Sequence, residues 1–202
     1  MQLTSLQAIT DLHKKYAPAE DVFELVHTHC QAVWDIARQL IDANDLEVDR
    51  DLVQLGCMMH DIGVYELYDE HGNELRDLHY ITHGTRGEEI LRREGFPDTI
   101  CRFASHHTGV GLTTQDILKS NLPIPLQDYL AETPEEALVM YADKFHSKSH
   151  PPHFNSYAYY KQYVLRFGKQ KAAAFENLCR QFGMPDLEPL AQKYGHELHD
   201  HL

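Results

Sequence analysis

The sequence predicts an all-α fold, and three observations carry that expectation. Apolar residues recur at spacings of three and four along most of the chain. No stretch shows the apolar–polar alternation of a half-buried strand. The helical stretches carry recognisable start and stop residues.

Val22, Val26, Val33, Ile36, Ala37 and Leu40 mark a long amphipathic helix after Pro18. Leu52–Ile62 is apolar nearly all round and ends at Gly63, which predicts a central buried helix. The polar stretch Tyr65–Leu78 holds the turn signal His71-Gly72-Asn73 and is expected to run over the surface. A further helix is predicted from about Thr82 to Glu94, stopped by Gly95 with Pro97 beyond, and a short one over Asp98–His106. Gly111–Leu130, with Pro123 and Pro125, reads as loop with short helical turns. Thr133-Pro134-Glu135-Glu136 then opens a helix, with Thr as N-cap, Pro in the first turn and Glu closing a capping box. That helix runs into Asp143, and Ser149–Pro152 breaks the chain. Tyr157–Phe182 reads as helical again, and Pro185 and Pro189 bracket a last segment whose polar, histidine-bearing end is expected to fray.

A chain of 202 residues suits a single domain spanning 1–202. Its 18 Lys and Arg against 31 Asp and Glu give a net charge of −13, which argues against a nucleic-acid binder or an anionic-membrane binder, since both need a basic face. A small phosphorylated substrate is compatible with that balance, because a bound metal reverses the sign locally. Cys30, Cys57, Cys101 and Cys179 form no C-x-x-C pair, Met1–Lys15 has no apolar signal core, and no apolar run approaches the roughly 20 residues of a membrane span. The expectation is a soluble cytoplasmic protein with free thiols. The compositional excess is histidine, with 15 residues.

The sharpest local feature is His60-Asp61-Ile62-Gly63, at the end of the apolar helix. Burying two adjacent ionisable residues is unfavourable unless something pairs with them, and a divalent metal takes imidazole nitrogen and carboxylate oxygen together. For an isolated pair the plainer reading is a turn cap and a core hydrogen bond. This pair has company: His29, His83, His107 and Asp143 each lie on or beside an apolar helical run. Helical bundles build core metal sites from ligands on several helices.

The ordered set His29, His60-Asp61-Ile62-Gly63, His83, His106-His107-Thr108-Gly109 and Asp143-Lys144 resembles the HD-domain superfamily of metal-dependent phosphohydrolases. Val33 and Ala37 after His29, and Gly87, Ile90 and Leu91 after His83, extend the resemblance. It implies a helical core over about 20–148, followed by a C-terminal helical extension over about 155–202. His29, His60, Asp61 and Asp143 would surround one metal; His83 and His107 would add a second, with Asp61 bridging the two. The set is similar to that of the dinuclear dinucleoside-tetraphosphate hydrolase branch, which makes two divalent ions the expectation, iron first and manganese next. The implied reaction is hydrolysis of a phosphate mono- or diester of a nucleotide or similar metabolite by a metal-bound hydroxide. Two alternatives are a non-catalytic regulatory module that binds metal and nucleotide, and a di-iron oxygenase.

Other positions stay open. Val64 and Tyr65 stand where many relatives place a Lys or other polar residue shortly after the His-Asp pair, so that phosphate contact is missing or supplied elsewhere. Arg86, Lys144 and Lys148 are candidate substrate contacts, although for Arg86 and Lys144 a solvated surface charge is the more ordinary reading. His27, His79 and His106 compete with His29, His83 and His107, and His106 is a candidate proton donor. The loop carrying His146, Lys148, His150 and His153 either folds over the site or is plain loop; His196, His199 and His201 are expected to have no functional role. Tyr157, Tyr159, Tyr160 and Tyr163 could stack a nucleobase or pack a core. The expected partner is a small phosphorylated substrate, a nucleotide first, with no nucleic acid and no membrane; a homo-oligomer is left open.

Overall fold

Helix α2 (Glu20–Asn44) presents Val26, Cys30, Val33, Ile36 and Ala37 as a fully buried stripe, and the rest of the fold is arranged against it. The computed structural model describes residues 5–77 and 79–201. In chain order the elements are α1 (Leu6–Tyr16), α2, α3 (Arg50–Met59), a 3-10 turn Ile62–Leu67, α4 (His83–Arg93), α5 (Asp98–Ser105), α6 (Thr114–Ser120) and α7 (Pro134–Asp143). There follow β1 (His146–Ser147), β2 (His153–Asn155), α8 (Tyr157–Leu165), α9 (Lys169–Phe182), α10 (Glu188–Tyr194) and β3 (Glu197–His199). Helices α2, α3 and α7 pack together as the centre of the bundle, with α4 and α5 on one side and α8 and α9 on the other. No helix among the described residues is long and apolar enough to cross a membrane.

Local chemistry sets the boundaries. Asp49 Oδ1 accepts the Leu52 N–H at 3.0 Å and starts α3. Thr113 and Asp116 form a capping box at α6. At α7 Thr133 caps and Pro134 stands in the first turn as predicted, but Glu136 closes no box. Its carboxylate instead accepts the Glu132 N–H and pairs with Arg102.

The buried helix expected to reach Ile62 ends at Met59, and His60 is its C-cap. The chain then tightens into the 3-10 turn, because Gly63 must pass against α4. A Cβ on Gly63 would lie 2.0 Å from the His83 carbonyl oxygen and 2.3 Å from the Gly87 nitrogen, both backbone atoms. This contact places the His60-Asp61 turn beside the start of α4. The polar excursion behind it closes on a bridge between Tyr68 and Glu74; Leu78, its expected end, lies outside the described residues.

Two further expectations need correcting within a fold that is helical as predicted. Tyr157–Phe182 is two helices, broken where Gly168 takes φ 118°, and Tyr160 and Phe175 pack across the break with ring centroids 4.8 Å apart. The second concerns the C-terminal segment, which does not fray. Its β3 lies parallel to β2, which lies antiparallel to β1, in a three-stranded sheet centred on the buried Phe154. Strands of two and three residues are too short to show a period-two pattern.

Helix α1 is tied down by His13, which is wholly buried. Its Nε2–H donates to Met58 O at 2.7 Å, and its Nδ1 accepts from Tyr65 Oη at 2.8 Å. Burial lowers its pKa from 6.5 to about 4. The unfolded chain therefore binds this proton first. Stability from this group is complete above pH 6.5 and falls as pH drops from 6.5 to about 4, by an amount on the order of 3 kcal/mol. Urea unfolding across that window should show the decline, and His13→Gln should flatten it. In the same assay Gly63→Ala should lose about 1–3 kcal/mol or more at neutral pH, because backbone rather than a flexible side chain must give way.

Candidate metal centre

Six side chains converge from five places in the fold. His29 projects from the middle of α2, His60 and Asp61 from the turn after α3, His83 from the first residue of α4, His107 from just beyond α5, and Asp143 from the last residue of α7. The four histidines and Asp61 are buried, and Asp143 is partly exposed. Helix ends supply most of the set, because side chains there can point along the bundle into a shared space.

The donor atoms form two groups, each within 4.8 Å internally: His29, His60, Asp61 and Asp143, and Asp61, His83 and His107. Asp61 belongs to both. In the first, His29 Nε2 lies 3.1 Å from Asp61 Oδ2, 3.0 Å from Asp143 Oδ1 and 3.2 Å from His60 Nε2. In the second, Asp61 Oδ1 lies 3.3 Å from His83 Nε2 and 3.5 Å from His107 Nε2, and those two nitrogens are 3.0 Å apart. A metal about 2.1 Å from each ligand sets donors roughly 3–3.5 Å apart, the spacing seen in both groups.

The second group's hydrogens point away from its centre. His83 Nδ1–H donates to Tyr80 O at 2.6 Å, and His107 Nδ1–H donates to Phe103 O at 3.1 Å. In the neutral tautomers so fixed, both Nε2 lone pairs face Asp61 Oδ1. Desolvation holds His83 neutral, with its pKa down at about 3, and keeps His107 low as well. Asp61 Oδ1 is buried and has no hydrogen-bond partner among the described residues. Two imidazole lone pairs and a carboxylate oxygen thus converge with no donor between them, which is an arrangement for a cation.

In the first group the negative charge is balanced within the chain. Burial pushes the Asp61 carboxyl up, but the Lys148 ammonium and His60 outweigh it and hold the group well below the usual range. Burial likewise opposes ionisation of Asp143, and Lys144 with His29 and His60 keeps it low. Against its own desolvation, His60 is held well above its ordinary range by Asp61 and Asp143. An imidazolium and an ammonium therefore supply positive charge that a divalent ion would bring.

Of the six, His29, Asp61, His83, His107 and Asp143 line a cavity of about 1110 Å³. Lys148, from the loop after β1, bonds to Asp61 Oδ2 and lies over the Tyr80 ring, 5.3 Å from its centroid. It supplies a cation that Val64 and Tyr65, both buried, do not. Lys144 is buried rather than solvated, its Nζ donating to His107 O at 2.9 Å and to Asp143 Oδ2 at 2.6 Å. Arg86 does not line the cavity; it pairs with Glu66 and with Thr82 Oγ1. His106 also faces away, bonded to Arg102 and to Ser105 Oγ. Of the other competing histidines, His27 stacks on Phe23 and His79 is exposed ahead of α4. Tyr159, Tyr160 and Tyr163 line the wall of the cavity, whereas Tyr157 stacks on Phe175. Sequence reasoning missed Lys171, which lines the cavity while bonded to Asp116 and Gly111 O, and His196, expected at a frayed end, reaches the buried His146. No local pattern marks either one.

Residues 26–148 match the HD domain family. Over 123 residues the chain is 38% identical to an uncharacterized protein of Methanocaldococcus jannaschii, covering 59% of this chain and 65% of that protein. Over 125 residues it is 33% identical to a tRNA (cytidine(56)-2'-O)-methyltransferase of Picrophilus torridus, covering 62% of this chain and 32% of that protein. The chain thus spans about a third of the methyltransferase and just under two thirds of the Methanocaldococcus protein. Among solved structures it is similar to the HD domain of L. monocytogenes phosphodiesterase PgpH in complex with cyclic-di-AMP, at TM-score 0.52 and 17% identity, covering 95% of this chain and 99% of that one. At that identity the likeness speaks to fold alone.

The charge balance around Asp61 predicts a measurable exchange. Lys148→Met should cost the metal-free protein on the order of 3 kcal/mol by leaving a buried carboxylate short of a cation. Added Mn2+ should restore most of that in a thermal melt. A variant as stable as wild type without metal would contradict this balance.

Proposed function

Because the chain belongs to the HD domain family, within the superfamily of metal-dependent phosphohydrolases, we propose that it hydrolyses a phosphate ester or anhydride of a nucleotide or similar small metabolite in the cavity above Asp61. The observation that carries this reading is the sharing of one buried carboxylate between two donor groups, with one of its oxygens left without a partner. His29, His60, Asp61 and Asp143 would hold one divalent ion, and Asp61, His83 and His107 a second. The nitrogen-and-oxygen donor set accepts several divalent ions, and the resemblance to the dinuclear dinucleoside-tetraphosphate hydrolase branch puts iron first and manganese next. Ions held there supply the positive charge that attack of water on a phosphoryl group requires.

The chain's own residues do the rest. His83 and His107 hold their hydrogens on carbonyls and keep their lone pairs aimed inward. Lys144 clamps the second oxygen of Asp143 and so fixes which oxygen faces the site. Lys148 stands at the cavity floor, where its ammonium can leave Asp61 for a phosphoryl oxygen once the carboxylate has other partners. Its loop, rather than the residues after Gly63, would make the phosphate contact, which favours turnover over binding alone. The cavity exceeds the roughly 300–1000 Å³ of ordinary small-ligand pockets, and its aromatic wall of Tyr159, Tyr160 and Tyr163 suits a nucleobase. A substrate larger than a mononucleotide is favoured, and cyclic and linear dinucleotides belong in the first screen. Methyl transfer is not proposed, since only a third of that relative is matched.

The test is phosphate or nucleotide release from a panel of 4-nitrophenyl esters, dinucleoside polyphosphates and cyclic dinucleotides, with Fe2+ or Mn2+. Asp61→Ala should abolish metal binding and hydrolysis together, with helix content unchanged by circular dichroism. Turnover retained by a metal-free Asp61→Ala protein would sink the proposal.

A further inference from the structure

Three histidines of the centre fix their tautomers in the same local way. His60 Nδ1–H donates to Cys57 O at 2.7 Å, and His83 and His107 use the Tyr80 and Phe103 carbonyls. His29 has no such carbonyl. Its Nδ1 lies 2.9 Å from Nδ1 of His146 on β1, and His146 Nε2 lies 2.9 Å from Nδ1 of His196. The three rings form a column, with centroids 5.2 Å apart at each step and interplanar angles of 31° and 27°.

Two neutral polarities of this column satisfy both hydrogen bonds. In one, His29 Nδ1–H donates to His146 and His146 Nε2–H donates to His196, so that His29 Nε2 keeps its lone pair. In the other, every hydrogen is reversed, and His29 Nε2–H donates to Asp143 Oδ1 at 3.0 Å or Asp61 Oδ2 at 3.1 Å. Only the first lets His29 act as a ligand. The acceptor at its far end is His196 Nδ1, without which the Nε2–H of the buried His146 loses its partner.

We propose that His146 and His196 are positioning residues, a histidine relay that selects the ligand-competent tautomer of His29 and makes the C-terminal segment part of the metal centre. This rests on the reading of His29 as a ligand. The position of His196 is set by the fold: Gly195 caps α10 in the left-handed region at φ 66°, His196 N–H donates to Ala191 O at 3.1 Å, and β3 follows at once in register with β2. His196 lies beyond residues 26–148, whereas His29 and His146 lie within them, so the C-terminal segment supplies the outer end of the relay. Partners that orient a metal-binding histidine in this manner typically change metal affinity by about 10–100-fold when removed.

The test uses Co2+ titration of the full chain, read by visible absorption and calorimetry. His196→Phe keeps a ring in the column but offers no acceptor; His196→Asn loses the ring but places an oxygen near the Nδ1 position. The phenylalanine variant should bind Co2+ at least about 10-fold more weakly than wild type, and the asparagine variant should recover most of the affinity. Metal-free melting curves check that both are folded. In wild-type protein loaded with Zn2+, the ring 15N spectrum should place the His146 hydrogen on Nε2, an outcome independent of any variant. Equal Co2+ affinity in wild type and His196→Phe, or a His146 hydrogen on Nδ1 in the Zn2+ form, overturns the relay alone. A wild-type chain that binds no Co2+ overturns the metal centre and the relay with it.

Discussion

A carboxylate shut away from water must be surrounded by positive charge or by hydrogen-bond donors, and Asp61 is given an incomplete version of both. One oxygen holds Lys148 and faces His29; the other meets only the lone-pair sides of His83 and His107. Burying such a group is unfavourable by itself, and within the chain Lys148 and His60 balance its charge. The bundle's architecture serves this one arrangement. α2 contributes a histidine from its middle, and four other helices (α3, α4, α5 and α7) each place one end beside the two donor groups.

The close passage of the turn after α3 against α4 turns sequence proximity into site geometry. Gly63 allows backbone to meet backbone there, and Gly87 on the facing helix lies against Ala104. His60 and Asp61 are thereby held opposite His83, and α5 brings His107 in from the other side. The protein carries a net charge of −13, yet Lys144, Lys148 and Lys171 are gathered along the cavity that Asp61 lines. A substrate that is itself anionic can enter such a molecule only where the local field differs from the global one.

Much of this was legible in the sequence, for identifiable reasons. Helical periodicity and caps are local, so α2, α4, α5 and α7 could be placed within a few residues. The six ligands of the proposed centre could be picked out because each interrupts or borders an apolar run, where a polar residue needs a reason. What was not legible depends on distant partners. Lys144 sits next to Asp143 but gave no sign that its ammonium would be buried between that carboxylate and the His107 carbonyl. Arg86 and His106, plausible by position, turn to Glu66 and Arg102 instead. The strands around His146, Phe154 and Leu198 are too short to signal themselves, and they decide that a polar C-terminal segment reaches the buried histidines rather than solvent.

Anomalous diffraction from crystals of the Mn2+-loaded protein tests the whole arrangement most directly. Two peaks should flank the Asp61 carboxylate, one bounded by His29, His60 and Asp143 and the other by His83 and His107. Ions bound elsewhere, with these imidazoles and carboxylates left uncoordinated, would contradict it.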